Sequence, residues 1–125
     1  MLILNVEDDA FKHNDICKVL NGCGRMEIEW VQDLETGLNA LSKSMESDKK
    51  YDLIITDMYY PLTPSGREDE AGEIFIQKAN EMGSKTPIIL CSSLSYVIPG
   101  IYGTLHYSDR TDWEGELREM IRNLK

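Results

Sequence analysis

The sequence predicts an α/β protein with a parallel β-sheet that is covered by helices on both faces. Short apolar runs alternate with longer segments whose apolar residues recur at helical spacing, which is the pattern of repeated βα units. Most of the runs are continuously apolar, as expected for strands buried on both faces of a sheet. The chain has 125 residues, 42% of them hydrophobic, and we expect one packed domain over residues 1–125.

The first two βα units occupy the N-terminal part of the chain. Leu2–Val6 is an apolar run, and a helix is expected over about 10–20, with Asp9 as its N-cap. Alternating apolar and polar residues over 26–31 predict a second strand near a sheet edge. The segment over about 33–47 has an apolar stripe at spacings of four and three residues, which predicts an amphipathic helix.

The next two strands flank a long connection. The apolar residues 53–55 predict a third strand, which is followed by Asp57. Residues 61–70 contain two prolines and a glycine, and they predict a long loop. A helix over about 71–82 and a fourth strand over 87–91 follow.

The last βα unit is the least regular. Residues 94–102 are largely apolar, but Pro99 and Gly100 interrupt them, so any helix there is expected to be short or irregular. Residues 103–107 predict a weak fifth strand, and residues 112–125 predict a closing helix.

Composition excludes several classes of function. The formal net charge of −9 disfavours direct binding to nucleic acid, which needs a cationic surface. No apolar run is long enough to cross a membrane, and the N-terminus has no signal-peptide pattern, so we expect a cytoplasmic protein. The three cysteines have no metal-binding spacing and are expected to be free thiols.

Polar side chains follow three of the predicted strands. Glu7 and Asp8 come after the first, Asp57 after the third, and Ser92 with Ser93 after the fourth. The carboxyl ends of parallel strands lie at one edge, so neighbouring first and third strands would bring three carboxylates together. A hard divalent cation such as Mg²⁺ would relieve their repulsion, and an aspartate can accept a phosphoryl group. The alternative is that each side chain only caps its own strand end.

With these motifs, the chain resembles the receiver domain of bacterial two-component response regulators. The matching stretches are Ile3-Leu-Asn-Val-Glu-Asp-Asp9, Tyr51-Asp-Leu-Ile-Ile-Thr-Asp57 with Pro61 beyond it, and Thr86-Pro-Ile-Ile-Leu-Cys-Ser-Ser93. The resemblance covers the whole chain. It implies a flavodoxin-like (βα)5 three-layer sandwich with strand order 2-1-3-4-5.

The resemblance also assigns roles to the polar residues. Asp57 would be the phosphoacceptor, and Glu7 and Asp8 would hold Mg²⁺ together with Asp57 and the backbone carbonyl of Tyr59. Ser92 would contact the phosphoryl group as the switch residue. No output domain is expected, so the chain would act as a stand-alone receiver. Its phosphoryl group would come from a histidine kinase or phosphotransfer protein, and it would signal by contact with a downstream protein.

Two departures from the family pattern concern the site. Receivers carry a lysine after the fifth strand, and residues 103–110 contain none. Counting back from Leu117 puts Arg110 at the position of the family's lysine, with Tyr107 at the switch aromatic. Aligning on Gly103 puts Tyr107 at the lysine position instead. The loop over 62–70 is also longer than in typical receivers, and it would either cover the site, recognise a partner or be a tolerated insertion.

Three other functions compete with the receiver hypothesis. A pseudo-receiver would use the same fold as a phosphorylation-independent binding module, and the missing lysine favours it. A phosphatase of the haloacid dehalogenase type would need a second aspartate where Tyr59 stands. A flavin-binding electron carrier is disfavoured, because the acidic loop after Val6 would repel the phosphate of the flavin cofactor. We therefore expect no enzymatic activity beyond Mg²⁺-dependent phosphorylation and dephosphorylation of the chain itself.

Overall fold

The fold is a five-stranded parallel sheet with helices on both sides, together with a small two-stranded sheet. The computed structural model describes residues 1–124. Their elements in chain order are β1 (Leu2–Val6), α1 (Ala10–Asn21), β2 (Glu27–Val31), α2 (Leu34–Met45), β3 (Leu53–Thr56), β4 (Tyr60–Pro61), β5 (Glu68–Asp69), α3 (Ala71–Glu81), β6 (Ile88–Ser92), β7 (Gly103–His106) and α4 (Trp113–Arg122). Five strands pair in parallel in the order β2-β1-β3-β6-β7, and β4 and β5 form a separate two-stranded sheet. Without that pair the order is 2-1-3-4-5, so the predicted fold class and topology are confirmed.

The core lies in two layers because successive strand residues point to opposite faces. Ile3 and Ile55 belong to the apolar cluster on the side of α1 and α4. Leu4 and Ile54 belong to the cluster on the side of α2 and α3. All four are fully buried, as expected for central parallel strands. The helix predicted to run to residue 125 is observed as Trp113–Arg122, and its predicted last residue lies outside the described part of the chain.

The connection after β3 is more ordered than predicted. Tyr60–Pro61 pairs in antiparallel fashion with Glu68–Asp69, so the prediction of a loop over the whole of residues 61–70 was wrong at its two ends. Tyr60 is fully buried, and its hydroxyl lies 2.9 Å from the Thr56 hydroxyl, which ties the small hairpin to the end of β3. Proline is tolerated in a ribbon of this kind because both strands are edges.

The crossover from β6 to β7 has no helix among the described residues. Residues 93–102 form bends, one turn and irregular backbone. Gly100 has φ +83°, a left-handed conformation that ends any helix begun before it, and Pro99 precedes it. The prediction that any helix over residues 94–102 would be short or irregular is therefore confirmed, since no helix forms there. Residues 1–124 contain four helices, whereas five regular βα units would contain five. Within the same residues, no helix is long and apolar enough to span a membrane.

Candidate functional site

Three carboxylates meet at the carboxyl edge of the sheet. Val6 of β1 pairs with Thr56 of β3, so Glu7 and Asp57 follow paired positions on neighbouring strands. One carboxylate oxygen from each of Glu7, Asp8 and Asp57 lies within 4.8 Å of the others. The edge where strand order reverses is where open α/β sheets bind their ligands.

The backbone around these carboxylates is held by hydrogen bonds. The Asp57 amide donates to the Val6 carbonyl at 3.0 Å, and the Met58 amide donates to Asp57 Oδ1 at 2.8 Å. The Glu7 amide donates to the Val31 carbonyl, and the indole of Trp30 donates to the Glu7 carbonyl. Neighbouring strands therefore fix where both acids stand.

Helix α3 begins directly against the end of β3. The Gly72 amide donates to the Met58 carbonyl at 2.9 Å. A Cβ atom at residue 72 would lie 2.1 Å from the Asp57 carbonyl oxygen and 2.7 Å from the Met58 Cα. Only glycine permits this approach, so the residue sets the distance between α3 and the backbone of Asp57.

Glu7 is buried in this acidic surrounding. Its exposed fraction is 1%. Burial raises the pKa of Glu7 to about 7, with the Asp57 charge adding to the rise and the nearby Lys12 opposing it. Burial also raises the pKa of Asp8. Glu7 Oε1 accepts no hydrogen bond of regular geometry, although the Lys12 ammonium lies 3.0 Å from it. The buried oxygen Glu7 Oε1 therefore has fewer hydrogen-bond partners than a carboxylate oxygen can accept.

Lys12 enters the same site from helix α1. Its exposed fraction is 4%, and its Nζ lies 3.0 Å from Glu7 Oε1 and 3.0 Å from Asp57 Oδ1. The ammonium also donates to the Cys91 carbonyl at the end of β6. Burial by itself lowers the pKa of Lys12, but the two carboxylates outweigh it and the pKa lies above its usual value. Lys12 is therefore a protonated ammonium in contact with Asp57.

Sequence reasoning did not single out Lys12. The signal available was its place in the first turn of α1, three residues after Asp9, whose carboxylate caps the helix. That turn lies over the strand ends. The residue type gives no such signal, since lysine is rarely buried without a partner.

The other predicted site residues lie at differing distances from the acidic cluster. Ser92 is buried at the end of β6, the strand next to β3, and its Oγ accepts from the Leu94 amide at 3.3 Å. Tyr59 is half-buried between β3 and β4. Arg110 is exposed, and it makes no ion pair within residues 1–124. The Tyr107 ring lies below the Lys12 ammonium, with 5.5 Å between Nζ and the ring centroid.

The acidic cluster fits a divalent cation. Three carboxylates and one ammonium leave an excess of two negative charges when all four are ionised, and carboxylate oxygens are the ligands that Mg²⁺ and Mn²⁺ prefer. Glu7 and Asp57 already contact Lys12, but Asp8 makes no ion pair in the described part of the chain and is more exposed than Glu7. Asp8 is therefore the carboxylate most available to an incoming ion.

Comparison with known proteins identifies the architecture. The sequence matches no protein-family model and no curated protein. Solved structures do match: a signal receiver domain of an HD domain-containing protein from Pseudomonas fluorescens Pf-5 is 18% identical, with a TM-score of 0.72 over 98% of this chain and 92% of that one. The chain has the receiver-domain fold.

Two further structures with the receiver fold resemble this chain. The Mn²⁺-bound form of response regulator Rcp1 is 16% identical, with a TM-score of 0.73 over 99% of this chain and 94% of that one. A response regulator receiver domain protein from Clostridium thermocellum is 20% identical, with a TM-score of 0.72 over 98% of this chain and 92% of that one. The receiver fold thus extends over nearly the whole chain.

Proposed function

We propose that the chain is a receiver that accepts a phosphoryl group on Asp57 from a histidine kinase or phosphotransfer protein. It signals through a contact with a downstream protein that depends on this modification. The observation that carries the proposal is the meeting of Glu7, Asp8 and Asp57 within 4.8 Å at the edge where the strand order reverses. Independent capping of strand ends does not require the three carboxylates to converge.

The chemistry assigned to Asp57 is a nucleophilic displacement at phosphorus. One carboxylate oxygen forms a bond to phosphorus while the bond from phosphorus to the donor histidine nitrogen breaks. The electron pair of that bond stays on the imidazole, and no oxidation or reduction occurs. Asp57 is suited to this role because it is partly open to solvent, at 15% of its side chain, while its backbone is fixed by β1.

Glu7 and Asp8 would hold Mg²⁺, with Asp57 and the Tyr59 carbonyl as further ligands. The ion would offset the repulsion between the incoming phosphoryl group and the carboxylates. The response regulator Rcp1, which has this fold, has a Mn²⁺-bound form, and this supports a divalent site here. Ser92, at the end of the adjacent strand, would donate its hydroxyl to a phosphoryl oxygen.

A pseudo-receiver is the second candidate. The observation that favours it is that Lys12 already neutralises part of the acidic cluster, so the unmodified state is stabilised. The crossover over residues 93–102 also forms no helix, so it offers no helical surface to a partner that would read the phosphorylated state.

Intact mass separates the two candidates. After incubation with a small acyl phosphate and Mg²⁺, the wild-type protein is expected to gain one phosphoryl group and the Asp57→Asn variant none, because an amide is not a phosphoryl acceptor. Asp48→Asn, at an exposed position between α2 and β3, is the matched control and should be modified normally. Uptake by Asp57→Asn, or no uptake by folded wild-type protein, would contradict the receiver proposal.

A further inference from the structure

We propose that Lys12, on helix α1, is the cationic residue that binds the phosphoryl group on Asp57. The site would then take its ammonium group from a helix, whereas the resemblance placed a cation after the last strand. The inference rests on the proposed function and adds a catalytic residue to it.

The contacts of Lys12 fix its ammonium at the reacting carboxylate. An ammonium has three N–H donors, and three oxygens surround this one: it donates to the Cys91 carbonyl and forms ion pairs with Asp57 Oδ1 and Glu7 Oε1. The three residues follow or end β6, β3 and β1, so the side chain reaches across the middle of the sheet edge. A buried ammonium held in this way needs little rearrangement to meet new charge nearby.

Phosphorylation would bring that charge within reach of Lys12. The transferred group bonds to a carboxylate whose Oδ1 is 3.0 Å from Nζ, so its oxygens arrive beside the ammonium. A hydrogen bond between an ammonium and a phosphoryl oxygen is charge-assisted and therefore stronger than a neutral one. Lys12 would exchange one anionic partner for another, and it would stabilise the negative charge that moves onto the phosphoryl oxygens.

Among the described residues, those that follow β7 form no ion pair with Asp57, so the position beside its carboxylate is open to Lys12. Tyr107 follows β7 directly, its hydroxyl donates to Asp15 Oδ2 on α1, and its ring packs against Trp113 with 5.1 Å between centroids. The ring face borders the Lys12 ammonium, which cation–π attraction favours. Arg110 is exposed. Among the described residues, the ion pair of Asp57 is with Lys12.

A purely structural role is the competing explanation, since the same contacts tie α1 to the strand ends. Magnesium affinity distinguishes the two. If Lys12 only held the site together, its loss would weaken Mg²⁺ binding and phosphorylation in parallel. If Lys12 binds the phosphoryl group, its loss slows phosphorylation while Mg²⁺ binding is kept or strengthened, because a neighbouring positive charge no longer repels the ion.

The experiment compares wild-type protein, Lys12→Gln and Lys49→Gln. Glutamine keeps an N–H donor near the Cys91 carbonyl and removes the charge, while Lys49 is an exposed lysine in a surface ion pair and serves as the control. The rate of phosphoryl uptake from a small acyl phosphate is measured by intact mass, and Mg²⁺ affinity by NMR titration. We expect Lys12→Gln to take up phosphate about 100-fold more slowly, with Mg²⁺ affinity unchanged or higher, and Lys49→Gln to match the wild-type protein.

Each contrary outcome has a distinct meaning. Wild-type uptake rates in Lys12→Gln would overturn the role of Lys12 and leave the proposed function standing. A parallel loss of uptake and Mg²⁺ binding would overturn it in favour of the structural role. No uptake by the wild-type protein would overturn both proposals.

A second measurement covers the case in which Lys12→Gln does not fold. In ¹⁵N-labelled wild-type protein the buried Lys12 ammonium, shielded from rapid proton exchange, is followed by NMR before and after phosphorylation. We expect its nitrogen signal to shift on phosphorylation, and an unchanged signal in phosphorylated protein would overturn the inference.

Discussion

Replacing Lys12 by methionine is expected to lower the free energy of unfolding by about 3 kcal/mol at neutral pH, because it leaves the buried Glu7 and the half-buried Asp57 without their cation. The side chains of Lys12 and Glu7 are 5% and 1% exposed, so water cannot replace the lost partner. Methionine fills a similar volume, which separates the loss of charge from the creation of a cavity. Urea unfolding without divalent ions measures the difference.

The matched control for this variant is Lys49→Met. Lys49 pairs with Glu27 at 3.3 Å, but the two side chains are 78% and 62% exposed, and surface pairs contribute at most about 1 kcal/mol. Equal stability losses in Lys12→Met and Lys49→Met would contradict the account of the buried cluster.

The effect of Lys12→Met should depend on pH in a defined direction. The pKa of Glu7 is raised to about 7 in the folded protein, so this carboxyl takes up a proton as the pH falls through that value. Once Glu7 is neutral, Lys12 compensates less negative charge, and removing the lysine therefore costs less stability. We expect the stability loss to shrink as the pH falls from about 8 to about 5, and a loss that grows over this range would contradict the assignment.

Replacing Gly72 by alanine is the second substitution with a large expected effect. The added Cβ would meet the Asp57 carbonyl oxygen at 2.1 Å and the Met58 Cα at 2.7 Å, and both are backbone atoms that no rotamer change can move. Helix α3 must therefore shift away from β3. We expect a loss of at least about 2 kcal/mol in urea unfolding, despite the better helix propensity of alanine.

Gly22→Ala is the matched control for Gly72→Ala. Gly22 ends α1 with φ −76°, and the nearest atom to its added Cβ is the Val19 carbonyl oxygen at 3.4 Å. This substitution should change stability by less than about 1 kcal/mol. A Gly72→Ala variant as stable as Gly22→Ala would contradict the expected clash between a side chain at residue 72 and the backbone of Asp57.

The fold was predictable because its signals are local. The buried strands are unbroken apolar runs, such as residues 53–55, and Asp9 and Asp33 accept hydrogen bonds from the first turns of α1 and α2 in the manner of N-caps. Parallel strands then force Glu7 and Asp57 to one edge. The order of the strands needed the resemblance, since alternation of strands and helices does not specify which neighbours pair.

The features that sequence reasoning missed depend on contacts between distant residues. Lys12 contacts the Cys91 carbonyl across 79 positions of the chain, and its place in the first turn of α1 does not by itself reveal this contact. Gly72 resembles any other helix residue until β3 is packed against it. The β4–β5 hairpin is stabilised by burial of Tyr60. The prolines of the same segment indicated a loop, so the two short strands were not predicted. In each case the feature follows from tertiary packing and not from the local sequence pattern.

The most direct test of the phosphoacceptor site is fluorine NMR of the protein with Mg²⁺ and beryllofluoride, a mimic of the phosphoryl group that needs no donor protein. We expect bound fluorine signals that require Mg²⁺ and disappear in Asp57→Asn. Folded wild-type protein that gives no bound signal at saturating Mg²⁺, or an Asp57→Asn variant that keeps the signal, would contradict the assignment of Asp57 as the phosphoacceptor.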